Sequence, residues 1–560
     1  MYLPSSRIQL SDSRSAGTVG RTIDESSDAT WKLTFPSPPR LLIIGAGSRG
    51  HAYAAALTHS TNTIIACVAD PLPHARATLG ARYIWGAGAN HPTPDGNPLP
   101  AHEFADWRDW VAYERARRAR ECAGESVEPG VDAVLVCVLD ELHTEVVEGV
   151  SGVGVHVLCE KPLGTGLAGC VGIVNALKEG WGKAGGDGKK VFGICHVLRY
   201  SPHNMLLRRL MLEEEVVGEV LSMEHVEPVG WWHFSHSYVR GNWRKESTTA
   251  PSLLTKSCHD LDFIMWMLCS PPPSSMRAPH LPSFITSTGS RKFFNKSRKP
   301  EAAGDATNCL KCPIEGDCEY SAKNIYLEKQ LRHGNTDWPV KIVNPQIEDI
   351  YKASGLKPAT DKLLENLSED YTADTPVAEV EKRPWFGRCV WESDNDVCDD
   401  QCVTITWDDD PAPDENGKSS LKGRGAKTAQ FHMVAFTEKI CERRGRIYGT
   451  KGEIEYDSSV IKVHNFKTGK TKVYSPKQTG GGHGGGDEGL ARQFVLAVDA
   501  VNNQGMPAAE AQRTYLGCDL DEAFLSHAVV FAAEDARKQR KVVDWKQWWA
   551  DQVEPHLHQR

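Results

Sequence analysis

Apolar residues are spaced in two ways along this chain. From residue 39 to about 178, short continuous apolar runs alternate with stretches whose apolar positions recur every three or four residues. The runs Leu41–Ile44, Thr63–Ala69, Ala133–Val138 and "HVLC" (156–159) are followed within two residues by Gly, Asp or Glu. Such runs predict buried parallel strands. His51–Leu57 predicts a helix after the first, and "DWRDWVAYERARRARECAGE" a basic, mostly solvated one before the third. Between them, "WGAGANHPTPDGNPLP" is a Pro/Gly loop. This alternation defines an α/β domain over 39–178.

Beyond it the pattern changes. "EGWGKAGGDGKK" (179–190) reads as a linker, and "VFGICHVLRY" as the strand that opens a second domain over 190–545. An amphipathic helix ending at Val217-Gly218-Glu219 follows, then a strand and a long loop. Late segments "CVTITW", "TAQFHMVAFT", "GRIYGTKGEIEYD" and "VIKVHNF" alternate apolar and polar, as antiparallel strands do. Residues 340–384 and 409–426, rich in Glu, Lys, Asp and Pro, read as surface insertions; the first lies within a larger Cys-bearing and charged insertion over about 300–384, and the second is a separate loop. Residues 1–38 show no periodicity and read as a mobile extension.

With 560 residues, 40% of them hydrophobic and 24% charged, the chain has the composition of a soluble protein of several domains. A net charge of −9 argues against nucleic acid or an anionic membrane as partner. There is no apolar run of 18 residues and no apolar signal core, so a cytoplasmic protein is expected. Sixteen cysteines, several in apolar runs, fit buried free thiols in a reducing compartment.

The chemistry begins at Gly45-Ala46-Gly47-Ser48-Arg49-Gly50, a G-x-G-x-x-G between strand and helix. Asp70 ends the next strand 20 residues on. That context predicts a dinucleotide site: glycines admit a pyrophosphate at a helix N-terminus, and the acid accepts from a ribose hydroxyl. A carboxylate at Asp70 repels a 2′-phosphate, so NAD is expected over NADP. Glu160-Lys161-Pro162 ends the fourth strand, where ligands bind in open α/β sheets. "LLTKSCHDLDF" (253–263) puts Lys256, His259, Asp260 and Asp262 in apolar company. On a helix, Lys256, His259 and Asp260 share one face. Two readings stand: a buried ion cluster or a catalytic group. A cation beside His259 would favour its neutral, proton-accepting form. The loop 221–246 mixes tryptophans, histidines and cations. It suits a polar ring-shaped ligand, or is simply docked on the core.

"GAGSRG", "VLDELHTE" and "CEKPL", in this order and spacing, resemble the Gfo/Idh/MocA family of NAD(P)-dependent sugar and polyol dehydrogenases. The resemblance spans about residues 39–270 and returns near 428–545. It implies an N-terminal Rossmann domain and an α/β domain on a large, mostly antiparallel sheet whose open face often mediates dimers. A homo-oligomer through that sheet is therefore expected. The dinucleotide set it implies is Gly45, Gly47, Ser48, Arg49, Gly50, Asp70, His143, Glu160 and Lys161. Lys161 lies at the nicotinamide and substrate hydroxyl. Thr255–Asp262 resembles the family's D-x-G-x-H-D-x-D, which makes His259 the catalytic histidine, with Lys161 and Lys256 assisting. Thr255 stands where the family often has Asp. Arg199 resembles an arginine the family keeps. With Arg240, Trp243, Arg244, Asp260 and His483 it makes the expected substrate set, for a sugar, polyol or glycoside.

Cys309, Cys312 and Cys318 form C-x2-C-x5-C, the spacing of a structural zinc site or of free loop thiols. Cys389, Cys398 or Cys402 could complete the four. A subset of the family shares "CP…C-x-Y-SAK-x-IY" and a later "D-N-D-V", which favours Cys389. "GGGHGGGDEGLARQF" (480–494) is a Gly-rich loop entering a helix that Asp487 can cap. Its G-H-G-G also resembles the superfamily's NAD-dependent glycosidases, which oxidise a sugar transiently and then eliminate the glycosyl bond. Three functions are thus weighed: a dehydrogenase, a glycosidase-like redox-elimination enzyme, and a non-catalytic NAD-binding regulator.

Overall fold

The computed structural model describes residues 32–183, 190–272, 275, 277–410, 424–478 and 482–557. The first 31 residues of the expected extension, and most of the 409–426 loop, lie outside the described residues. Residues 32–38 do not behave as an extension: Leu33 bridges Thr61 and Phe35 is buried.

The first sheet has six parallel strands: β1 (Arg40–Ile44), β2 (Ile64–Ala69), β3 (Glu103–Phe104), β4 (Ala133–Val136), β5 (His156–Cys159) and β6 (Phe192–Ile194). Their order, β3-β2-β1-β4-β5-β6, is that of the Rossmann fold. The direction of winding reverses between β1 and β4, the point at which open α/β sheets bind ligands beyond the strand ends. Helix α1 (Ser48–Ser60) leaves that point directly after β1.

Two expectations about the boundary change. The helix Leu167–Lys183 occupies the first part of the expected linker. "VFGICHVLRY" does not open the second domain: β6 pairs in parallel with β5, and Val197–Tyr200 turns into a 3-10 helix. A short apolar run has no preferred sheet, and here an edge was vacant beside β5.

The second sheet has nine strands: β7 (Val220–Pro228), β8 (Phe284–Ser290), β9 (Asp400–Trp407), β10 (Lys427–Val434), β11 (Arg444–Gly449), β12 (Gly452–Tyr456), β13 (Ile461–Asn465), β14 (Lys470–Tyr474) and β15 (Val543–Asp544). The order is β14-β13-β12-β11-β7-β10-β9-β8-β15, antiparallel except where β7 meets β10. One face carries Met223, Val403, Ile405, Phe431, Met433 and Ile447, all buried. It is covered by α2 (Cys258–Leu268) and α4 (Leu520–Gln539). The other face presents Thr286, Thr404, Thr428, Gln430 and His432, partly or fully exposed. Helix α3 (Gly486–Asn502) returns the chain to α1 and the first sheet.

The charged insertion is folded. Helices Val340–Val343, Ile347–Ser354 and Leu356–Ser368 bury Ile347, Ala359, Leu363 and Leu367 against Tyr326 and Leu331 in a small core of their own. Trp231 and Trp232 pack on that core. No helix among the described residues is long and apolar enough to cross a membrane.

Candidate active site

The glycine turn is built by close approach. Gly45 has φ +98°, and a Cβ there would lie 2.5 Å from the Cys137 carbonyl oxygen. A Cβ on Gly50 would lie 2.2 Å from the Gly45 oxygen, which fixes the start of α1 against the turn. A Cβ on Gly47 would meet no protein atom within 4 Å. The turn therefore offers backbone N–H groups to open space at a helix N-terminus, which fits an anionic pyrophosphate. Asp70 is placed by two backbone donors: Ala46 N–H reaches Oδ2 and Leu72 N–H reaches Oδ1, each at 2.8 Å.

Behind the turn, Arg49 joins Glu160 (Nε to Oε1, 2.5 Å) and Asp487 of α3 (2.7 Å). His143 is buried, with Nδ1 2.6 Å from the Pro162 carbonyl, so it braces the loop that presents Lys161. Lys161 donates from Nζ to the Thr255 carbonyl at 2.8 Å, reaching from the first domain to the threshold of α2.

The helix expected over 253–263 is broken there. Ser252–Thr255 is one turn, Lys256 and Ser257 interrupt it, and α2 begins at Cys258. Lys256 therefore does not share a face with His259. Its Nζ meets Glu227 Oε1 and Cys441 Sγ, each at 3.0 Å. Burial opposes its charge, but Cys441 and Glu227 outweigh this and hold it protonated.

His259 lies on α2 and is 3% exposed. Its Nε2 faces Arg443 at 2.5 Å and Asp260 Oδ2 at 3.1 Å, while Nδ1 has no protein partner. Burial holds it well below the ordinary histidine pKa; the Arg443 and Lys161 cations add to this, against the pull of Asp260. The expected cationic neighbour exists, but it is Arg443, not Lys256. Asp260 also accepts from His225 Nε2 (3.0 Å) and Arg443 Nε (2.9 Å). Arg443 in turn reaches Glu227 at 2.5 Å. Cys441, at φ +58°, lies 3.6 Å from His233 Nδ1. Glu227, Cys441 and Arg443 were missed by the sequence reading, which named His233 only as one of the histidines of the 221–246 loop. The run "CERRGR" signals charge but not which arginine turns inward.

His483 stands beside this group, 6.3 Å from His259 between ring centroids and 3.2 Å from Asp487. Trp243 donates to Asp140 Oδ2 at 2.8 Å and ties the 221–246 loop to the first domain. Three expected substrate residues are committed elsewhere. Arg199 is 3% exposed, holds Asp262 through Nε and Nη2 at 2.8 and 2.7 Å, and reaches Glu522 at 2.8 Å. Arg240 donates to the Arg388 and Tyr320 carbonyls at 2.6 and 2.7 Å. Arg244 pairs with Asp394 and donates to Val380. Each is buried and engaged by these protein partners.

The four cysteines do gather. Cys309, Cys312, Cys318 and Cys389 line one small cavity with Arg240. Among the described residues, however, the group with three or more ligand atoms all within 4.8 Å of one another is Asp400, Cys402 and His432, not these thiols.

The buried histidines imply an acid-side instability. His259 and His233 sit well below the ordinary pKa through burial, and His196 and His236 near 3. The unfolded chain takes up protons below about pH 6.5 and the folded chain does not. Stability is thus full above that pH and falls below it, by about 1.4 kcal/mol per pH unit for each such histidine. Denaturant melts from pH 7 to pH 5 should show this, and His259→Gln should flatten the slope by about one such unit. An unchanged slope would mean that His259 is charged in the folded chain.

Comparison with known proteins bears on the family and the fold. The family model for Gfo/Idh/MocA, described as an oxidoreductase family with an NAD-binding Rossmann fold, matches residues 40–181. The 2,7-anhydro-N-acetylneuraminate hydratase of Escherichia coli (strain K12) is 30% identical over 138 residues, 25% of this chain and 34% of that protein. Inositol 2-dehydrogenase 2 of Saccharopolyspora erythraea is 28% identical over 139 residues, 25% of this chain and 35% of that protein. The chain thus spans about a third of the curated relatives it matches. Among solved structures, levoglucosan dehydrogenase in complex with NADH and levoglucosan aligns over 91% of this chain and 99% of its own, with TM-score 0.52 and 13% identity. A Desulfitobacterium hafniense structure described as a putative NADPH-dependent oxidoreductase aligns over 92% and 99%, with TM-score 0.52 and 14% identity. These two speak for the fold of both domains. Through the glycine turn and the E-K-P strand end, residues 40–181 match the NAD-binding Rossmann domain of the Gfo/Idh/MocA oxidoreductase family.

Proposed function

We propose that this protein is a cytoplasmic NAD-dependent oxidoreductase that moves a hydride between a sugar- or polyol-type hydroxyl and the nicotinamide. The observation that carries it is Lys161, extended from the end of β5 to the Thr255 carbonyl, four residues before neutral, buried His259. Gly45–Gly50 and Asp70 would hold the dinucleotide, and the bound nicotinamide would supply the hydride acceptor or donor. Lys161 orients the substrate hydroxyl as a cationic donor. His259 takes its proton at Nδ1, the nitrogen without a protein partner, in the tautomer in which Arg443 Nη2, which can only donate, moves off Nε2 and Nε2–H donates to Asp260. Asp260 stabilises the imidazolium that forms, and burial, helped by Arg443, keeps the resting ring neutral. Lys256 and Glu227 form the charged floor beneath them.

A second reading rests on His483, whose ring stands across from His259. A second proton carrier there suits the redox-elimination cycle of a glycosidase-like enzyme. A panel of sugars, polyols and glycosides, followed by NADH absorbance and product analysis, separates the readings. Net NADH supports the dehydrogenase, and glycoside cleavage without net NADH the elimination cycle. Cofactor binding without turnover on any member would leave the regulator.

Lys161→Ala and His259→Ala should each lower turnover by roughly 10²–10⁴-fold without abolishing NAD binding. Normal single-turnover hydride transfer in His259→Ala would remove it from the mechanism. With Asp70 accepting from the ribose hydroxyls, as this reading has it, NAD should bind tighter than NADP in calorimetry; equal affinities would contradict that role. We also propose a structural zinc held by Cys309, Cys312, Cys318 and Cys389, which requires their sulfurs to draw inward from the cavity wall. Zinc retained at these thiols, with Cys309→Ser lowering the melting temperature but not NAD affinity, is the expected result. A metal-free and equally stable protein would contradict it. A homo-oligomer through the open face of the second sheet completes the proposal.

A further inference from the structure

We propose that Asp400, Cys402 and His432 form a zinc site on the exposed face of the second sheet, apart from the cleft. Cys402 and His432 stand directly opposite one another where β9 and β10 run antiparallel. Asp400 lies two residues before Cys402 on β9, so all three side chains leave the same face of the sheet. Their ligand atoms lie within 4.8 Å of one another. His432 Nε2 and Asp400 Oδ2 are 3.2 Å apart. Two zinc ligands bound at about 2.0–2.1 Å and set tetrahedrally stand about 3.3 Å apart, so this edge already has the right length.

The carboxylate divides its oxygens in the manner of a metal ligand. Oδ1 accepts from Lys292 Nζ at 2.6 Å, while Oδ2 turns to His432. An outer partner on one oxygen fixes the direction of the other. A surface ion pair between His432 and Asp400 would explain those two residues but gives Cys402 no part. Thiolate, imidazole and carboxylate together select zinc among the common cations, because calcium and magnesium take oxygen donors. Zinc replaces the proton of the Cys402 thiol, which leaves to solvent. Three protein donors leave a fourth position open to water or to a donor from another molecule. The two strands are a rigid mount for such a site.

The test follows the thiol itself, in the full-length chain treated with chelator. The protein is alkylated with and without added zinc, and peptides containing Cys402 and Cys122 are quantified by mass spectrometry. Both thiols are exposed in the single chain, and with the oligomeric state held equal in the two arms Cys122 serves as the internal control. Zinc should slow alkylation of Cys402 by about tenfold or more and leave Cys122 unchanged. His432→Ala and Asp400→Asn, both at partly exposed positions, should each remove that protection, with melting curves showing that the variants remain folded. Peptides carrying Cys309, Cys312, Cys318 and Cys389 report on that cavity separately. Equal alkylation of Cys402 with and without zinc overturns the site. So does protection that survives both substitutions, since the thiol would then bind the ion without its neighbours.

Discussion

Three carboxylates, Glu227, Asp260 and Asp262, are wholly buried at the meeting of the two domains, and each needs a cation. Removing one partner from such a pair costs about 3–5 kcal/mol, because the remaining charge stays buried and uncompensated. The cations come from distant parts of the chain. Arg443 follows β10 and serves both Glu227 and Asp260; Lys256 precedes α2 and serves Glu227; Arg199 follows β6 and holds Asp262. Meeting these three demands fixes α2 against the nine-stranded sheet and against the last strand of the Rossmann sheet. The neutral state of His259 is a consequence of the same network, since its ring lies buried beside Arg443.

The two domains are joined at the site rather than beside it. Lys161 crosses to the Thr255 carbonyl, Arg49 to Asp487, and Trp243 to Asp140. Leu163 N–H donates to His527 Nε2 on α4 at 2.8 Å. Each link begins or ends within a few residues of a dinucleotide or proton-transfer group. The charged insertion makes none of these four links itself. That insertion instead holds the aromatic loop, through Trp231, Trp232 and the 2.9 Å contact of His236 Nδ1 with the Tyr326 hydroxyl.

The parts legible in the sequence were those governed by local rules. The glycine turn and the strand ending at Asp70 follow from steric and capping requirements that act over a few residues. The late strands follow from their alternation. What was not legible depended on distant partners. Residues 191–195 read as an entrance to the second domain because a short apolar run does not state which sheet it joins. Arg199, Arg240 and Arg244 read as substrate donors because a cation's sequence does not name its carboxylate or carbonyl. Arg443 was overlooked for the same reason, in a run of four charged residues among which it alone is buried. In the insertion, abundant Glu and Lys masked the spacing of Ala359, Leu363 and Leu367, four residues apart, which is a helix stripe seeking a core.

The central claim is that the reacting centre lies between Lys161 and His259, at the crossing of the two domains. A crystal structure of the wild-type chain soaked with NAD tests it most directly. The account predicts a dinucleotide along the Gly45–Gly50 turn, its ribose at Asp70, and the nicotinamide ring in contact reach of both Lys161 Nζ and His259 Nδ1. A nicotinamide ring lodged away from both residues, with the pyrophosphate still on the glycine turn, would contradict it.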